Sequence, residues 1–178
     1  MDLGIQGRRA IVCASSRGLG RACALALSRE GVSVDINGRN EDTLGETAEA
    51  IRAETAGKVT SVVADIDVES DRERLVAACP DADILVNNNG GPQPGRFQDW
   101  DHDAWLAALE ANLLAPVLLI RALLPGMQER RFGRIVNITS AMVKSPRSVM
   151  GLSTAARSGL TALCKGLSIE VARDNVTI

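Results

Sequence analysis

The chain has 178 residues, an apolar fraction of 46% and a formal net charge of −2. That apolar content is ample for one core, and the length predicts a single domain over residues 1–178. Lys and Arg are mixed with Asp and Glu along the chain without a basic block, which excludes a nucleic-acid footprint or a polybasic membrane anchor. The purely apolar runs fall short of the ~18 residues that span a bilayer, and Met1-Asp2-Leu3-Gly4 lacks the charged and apolar regions of a signal peptide. A cytoplasmic protein is expected, with neither nucleic acid nor membrane as partner. Cys13, Cys23, Cys79 and Cys164 are scattered without a C-x-x-C pair, so reduced structural thiols and no metal site are expected.

In chain order, Arg9 to Cys13 reads as a strand, and Gly18 to Glu30 as a helix whose apolar stripe of Leu19, Ala22, Cys23, Ala26 and Leu27 stops at Gly31. Val32 to Ile36 and Lys58 to Val63 read as strands around a helix from Glu41 to Ala56. A helix from Asp71 to Cys79 precedes a strand from Asp83 to Asn87, and Gly90-Gly91-Pro92-Gln93-Pro94-Gly95 reads as the loop that follows. Helices from Asp101 to Leu124 and from Thr154 to Arg173 flank a strand from Gly133 to Thr139. Val176-Thr177-Ile178 reads as the opening of a sixth strand, with the C-terminal part of the protein expected beyond it. Repeated βα units with near-continuous apolar strands predict an α/β, doubly wound parallel sheet of the Rossmann type, covered on both faces.

The first strand-to-helix turn, Cys13-Ala14-Ser15-Ser16-Arg17-Gly18-Leu19-Gly20, is where phosphate chemistry is expected. Glycines let backbone amides approach a pyrophosphate, and the helix N-terminus adds partial positive charge. A carboxylate at the end of the second strand would bond the ribose 2′-hydroxyl of NAD. Here Gly38 and Arg39 occupy that position. Arg39 and Arg17 both suit a 2′-phosphate, so NADP is expected rather than NAD.

The turn resembles the T-G-x-x-x-G-x-G of the short-chain dehydrogenase/reductase family, with Cys13 and Ala14 replacing Thr and the first Gly. Asp65-Ile66, Asn87-Asn88-Asn89-Gly90, Asn112 and Ser140 extend the resemblance in order along the chain, most closely to the 3-oxoacyl-[acyl-carrier-protein] reductase-like branch. The resemblance implies that Ala14, Ser15, Ser16, Arg17, Gly18, Leu19 and Gly20 hold the cofactor. It also places Asp65 and Ile66 by the adenine and Asn87 beside the nicotinamide ribose. Asn89 stands where the family has alanine, which would narrow the cofactor channel. Asn112 and Ser140 fill two catalytic positions, a water-holding asparagine and a carbonyl-polarising serine. Family spacing from Ser140 lands on Ser153 and Arg157, where a Tyr and a Lys are expected; the chain has no tyrosine.

A phenol titrates near ~10 and an aliphatic hydroxyl near ~15.7, a gap of about 8 kcal/mol in forming the anion. Ser153 is therefore a poor substitute acid, and Arg157 a charged residue that suits ribose hydroxyls. Lys144 is an alternative proton donor, and His102 reads as part of a solvated helix start. Pro116 has no N–H, so the carbonyl of residue 112 loses its helical partner and suits a relay water. The resulting expectation is hydride exchange between NADP and a carbonyl or acyl-thioester substrate; the alternative is a nucleotide-binding regulatory or scaffold protein that has lost catalysis. Apolar Leu113, Leu114, Leu118, Leu119, Leu160 and Leu163 suggest a homodimer or homotetramer.

Overall fold

Alternation along the strands builds two cores, one on each face of a single sheet, in a computed structural model that describes residues 2–55 and 57–178. From β1 (Arg9–Val12), β2 (Ser33–Gly38) and β4 (Ile84–Asn87), the residues Ala10, Val12, Val34, Ile36, Ile84 and Val86 face one side. There they pack on Ala24 of α1 (Gly18–Arg29) and on Leu44, Ala48 and Ile51 of α2 (Glu41–Thr55). Ile11, Leu85 and Ile135 of β5 (Gly133–Asn137) face the other side. They meet Leu75 of α3 (Glu69–Ala78), Leu119, Leu123 and Met127 of α5 (Ala115–Glu129), and Leu160 and Cys164 of α6 (Gly151–Val171).

With β3 (Val59–Val63) and β6 (Val176–Thr177) the strand order is β3-β2-β1-β4-β5-β6, and every pairing is parallel. This is the expected doubly wound sheet. Its order reverses between β1 and β4, the point at which such sheets open a crevice beyond their carboxyl ends.

Several boundaries move. β2 runs past Ile36 to Gly38 because buried Asn37 finds partners for its polar atoms. α3 starts earlier, at Glu69, and β5 stops at Asn137. The expected helix end at Ala56 lies outside the described residues. α6 begins at Gly151, which places Ser153 inside the helix.

The expected helix from Asp101 to Leu124 is divided. α4 (His102–Leu109), capped by Asp101 accepting from Ala104 N–H, runs into a π-turn at Glu110–Leu114 and then α5, which continues through Pro125 to Glu129. By length and composition alone, His102–Glu129 is apolar enough to cross a membrane. The structure instead presses its Ala115, Leu119, Ile120, Leu123 and Met127 face against the sheet. Leu119 and Leu160 are 0% and 2% exposed, which corrects their assignment to an outer apolar face; Leu114 and Leu163 remain exposed.

Asn37 joins three strand ends. Its Nδ2 donates to the Val62 and Ala64 carbonyls (3.2 and 2.9 Å), its Oδ1 accepts from Ala14 N–H (3.3 Å), and its N–H donates to Ser15 Oγ (2.9 Å). Leaving such buried groups unpaired costs about 1–3 kcal/mol each. Asn37→Ala is therefore expected to lower unfolding free energy by roughly 2–4 kcal/mol, read as a lower urea midpoint with an unchanged slope.

Candidate functional site

The β1–α1 turn is shaped by close approach. Ala14 takes φ +45°, the left-handed conformation that glycine holds most easily, so the alanine carries strain of about 1 kcal/mol. Ser15 is buried: its Oγ donates to the Val12 carbonyl (2.7 Å) and its N–H to the Asn37 carbonyl (2.7 Å). A Cβ on Gly20 would lie 2.8 Å from Ser15 Cα, so the helix can pack this near the turn only with glycine there.

The turn delivers a helix N-terminus to the sheet's reversal point. Arg17, at the cap, has an extended backbone and its side chain makes no capping bond, and the first turn of α1 holds no acidic residue. Its leading N–H groups are thus left for an anion. They adjoin a cleft of about 720 Å³ lined by Ala14, Ser16, Arg17, Arg39, Asp65 and Ile66. Of the remaining turn residues, Ser15 supports from beneath, and Gly18, Leu19 and Gly20 form the helix start rather than the lining. Arg21, Asn37, Asn40, Thr43, Thr47 and Asn88 also line the cleft and were missed as contacts. Arg21 sits one turn beyond Arg17, a spacing that places both on one helix face. Thr47 Oγ1 donates to the Ser16 carbonyl (2.7 Å) and ties α2 to the turn. Arg39 is 77% exposed and lies 3.7 Å from Asp65, a loose pair that leaves its guanidinium free to turn toward an incoming anion.

On the far side of the reversal, Asn87 is a scaffold residue. It is 2% exposed, and its Nδ2 donates to Asn137 Oδ1 (2.9 Å). Asn88 Nδ2 donates to the Ala14 carbonyl (3.1 Å), closing the crevice floor between β1 and β4. Asn89 does more than narrow a channel. Its Nδ2 donates to Asp67 Oδ1 (2.7 Å) and to the Ala111 carbonyl (3.1 Å). Ala115 N–H turns back to Glu110 O in the π-turn, and Pro116 has no N–H, so the Ala111 carbonyl loses both helical donors and Asn89 replaces them. The orphaned carbonyl was expected at Asn112; the π-turn adds a second at Ala111.

Asn112 is 2% exposed, donates through Nδ2 to the Gly90 carbonyl (3.2 Å), and has no partner on Oδ1. Ser140 caps the short turn Ala141–Val143, with Oγ accepting from Met142 N–H (3.1 Å). That bond uses an oxygen lone pair and leaves the hydroxyl proton available to an external acceptor. α6 packs against both this turn and the π-turn, bringing the elements that carry Ser140, Asn112 and Ser153 together. Ser153 is 3% exposed.

Arg157 is 8% exposed, and its guanidinium donates to the carbonyls of Ile138 and, at 3.4 Å, Asn89. Burial lowers its pKa from the ordinary arginine value. Lys144 is exposed at the end of the Ser140 turn and His102 is exposed at the start of α4. The thiols of Cys13 and Cys79 are buried and pushed up to about 12, mainly by desolvation. Among the described residues no cluster of three or more His, Cys, Asp or Glu is placed to hold a metal.

The parallel sheet, whose strand order reverses beside a glycine turn, has the layout of a dinucleotide-binding fold, and the sequence profile of the short chain dehydrogenases matches residues 8–178. The chain belongs to that family. An uncharacterized oxidoreductase of Bacillus subtilis (strain 168), YvaG, is 33% identical over 179 residues, covering 100% of this chain and 68% of that protein. The L-sorbose reductase of Gluconobacter frateurii, complexed with NADPH and L-sorbose, superposes with a TM-score of 0.94 at 29% identity, over 99% of this chain and 68% of that one. NAD+-bound xylitol dehydrogenase shares the fold with a TM-score of 0.87 at 23% identity, over 97% and 68% of the two chains. The chain spans about two thirds of the length of the curated relatives it matches.

If Arg157 is held by geometry as well as charge, lysine cannot replace it, because one ammonium lacks the fork that reaches two carbonyls. Arg157→Lys is expected to lower unfolding free energy by about 1–2 kcal/mol and Arg157→Met by about 2–4 kcal/mol, measured by urea denaturation. Full stability in Arg157→Lys would show that charge alone matters.

Proposed function

We propose that the protein is an NADP-dependent oxidoreductase exchanging a hydride between the nicotinamide and a carbonyl or hydroxyl substrate, akin to the 3-oxoacyl-[acyl-carrier-protein] reductase branch. The observation that carries this reading is the open N-terminus of α1 beside a cleft with Arg17, Arg21 and Arg39 and no carboxylate at the end of β2. The cleft fits a dinucleotide phosphate: its volume is in the range for cofactors, its first helical turn repels no anion, and a Cβ-free Gly18 faces open space. Arg17, Arg21 and Arg39 would hold the phosphates, and Asp65 and Ile66 the adenine end. The NADPH of L-sorbose reductase supports NADP over NAD; xylitol dehydrogenase, at its lower identity, bears on the fold alone.

When bound, the cofactor supplies the hydride. The chain's own task is to polarise the substrate oxygen and manage a proton. Ser140 donates its free hydroxyl proton to that oxygen, a role favoured by the Met142 N–H already bonded to its Oγ. Asn112 holds a relay water near α6. Ser153 replaces a phenol and raises the barrier, so proton transfer relies on it, on water or on Lys144. Arg157 supplies positive potential while its guanidinium is tied to the Ile138 and Asn89 carbonyls. Leu114 and Leu163 are the exposed leucines available to a homo-oligomeric contact.

A second reading, a nucleotide-binding protein without turnover, is favoured by that same tethering of Arg157, which keeps it from the freedom of a lysine. Calorimetric titration separates the cases from a failed cleft: NADPH is expected to bind at least ~10-fold tighter than NADH, and Arg39→Ala to erase the difference. No binding of either nucleotide at millimolar concentration would sink both readings. Turnover of ketones and 3-oxoacyl thioesters then divides them. Slow reduction is expected, lost in Ser140→Ala, and the pair Ser153→Tyr with Arg157→Lys is expected to raise the rate by roughly 10²–10⁴-fold. Absence of reduction in the unaltered protein, with activity appearing only in that pair, favours the binder.

A further inference from the structure

A second cavity, of about 590 Å³, lies between the loop after β4 and α4, and meets the nucleotide cleft only at Gly90. One wall is Ala104, Ala107, Ala108 and Ala111, small side chains on a single helical face that leave volume instead of filling it. Pro92 and Pro94 face the cavity from the loop and have no N–H to offer.

Trp100 supplies a rigid aromatic side. It is seated against Gly95 and Gly151, where added Cβ atoms would each come within 2.6 Å of the indole. Trp105 and Phe97 meet it edge-on, with centroids at 6.0 and 6.4 Å.

The polar lining is unbalanced. The ionisable groups on it are Asp67 and Asp99, and no Lys, Arg or His lines the cavity among the described residues. Arg96 neutralises Asp99 through two bonds of 2.7 and 2.8 Å. Asp67 makes no ion pair among the described residues; it accepts only from the neutral Asn89, and burial raises its pKa. Asn112 Oδ1, on a residue 98% removed from solvent, has no donor. Asp67 and Asn112 line the same cavity, and Asn89 Nδ2 ties Asp67 to the carbonyl of Ala111, the residue before Asn112.

One buried acceptor without a donor, one carboxylate without an ion pair and an indole wall call for a ligand that is cationic, donates more than one hydrogen bond and has an apolar body. We infer that this cavity is a second ligand site, separate from the nucleotide cleft, for a small organic ammonium whose N–H groups reach Asp67 and Asn112 Oδ1 and whose apolar body lies between the alanine face and Trp100. The inference goes beyond the nucleotide reading and does not depend on it.

Calorimetric titration of the protein with benzylammonium, benzyl alcohol and benzoate tests the site. Saturable binding of benzylammonium is expected, at least ~10-fold tighter than benzyl alcohol, with none for benzoate. Ala107→Phe fills the cavity from an exposed helix position and is expected to abolish binding; Asp67→Asn is expected to weaken it by about tenfold or more. Circular dichroism and NADPH titration of each variant show whether the fold and the nucleotide cleft persist. Equal binding of the three probes, undiminished binding in Ala107→Phe, or no saturable binding at tens of millimolar overturns the site. Failure of the unaltered protein to bind NADPH, with benzylammonium binding intact, overturns the nucleotide reading alone.

Discussion

The carboxamide of Asn37 is the constraint on which the crevice depends. The strand order of the parallel sheet reverses between β1 and β4, and on one side of that reversal β2 and β3 end level at Gly38 and Val63, two residues beyond the end of β1 at Val12. The Asn37 side chain bonds the Val62 and Ala64 carbonyls at the end of β3 and the Ala14 N–H in the β1–α1 turn, and its backbone N–H donates to the Ser15 hydroxyl oxygen. Because it is buried, each of these bonds is exchanged for no competing water. The turn is therefore tied to β2 and to the loop after β4.

Ala14 and Gly20 show what the constraint demands. Holding Ala14 at φ +45° costs strain that no local preference would offset, so the compensation comes from the bonds of Asn37, Ser15 and Asn88 around it. The result is a helix start whose amides, free of side-chain caps and acidic neighbours, point to the crevice. Packing and strain are thus one arrangement: the turn that holds Ala14 at positive φ is the one that opens the helix terminus.

The sheet, its two faces and its reversal were legible in the sequence because apolar periodicity and glycine punctuation act locally. The β1–α1 turn was legible for the same reason, and the family resemblance singled out Asn112 and Ser140, which the structure brings to elements packed on α6. Other parts depend on distant partners. Asn37 fell just beyond the strand read from Val32 to Ile36, and its role depends on Ala14, Val62 and Ala64, which the fold places around it. The π-turn has no composition of its own; Pro116 signals a missing donor but not how the register adjusts upstream. Leu119 and Leu160 were read as surface because one helical face resembles another until the sheet claims it.

Asn89 and Arg157 then bear on the central substitution together. Arg157 donates to the Asn89 carbonyl, while the Asn89 side chain supports the π-turn that carries Asn112 and bonds the loop after β3. The Arg157 guanidinium is thereby part of a bridge joining the end of β5, the β4 loop and the helix opposite. A lysine in that place would keep the charge and lose the second reach. Arg157 is consequently a structural tie as well as a charge: it sits one helical turn after the buried Ser153, and its donors are committed to the Ile138 and Asn89 carbonyls.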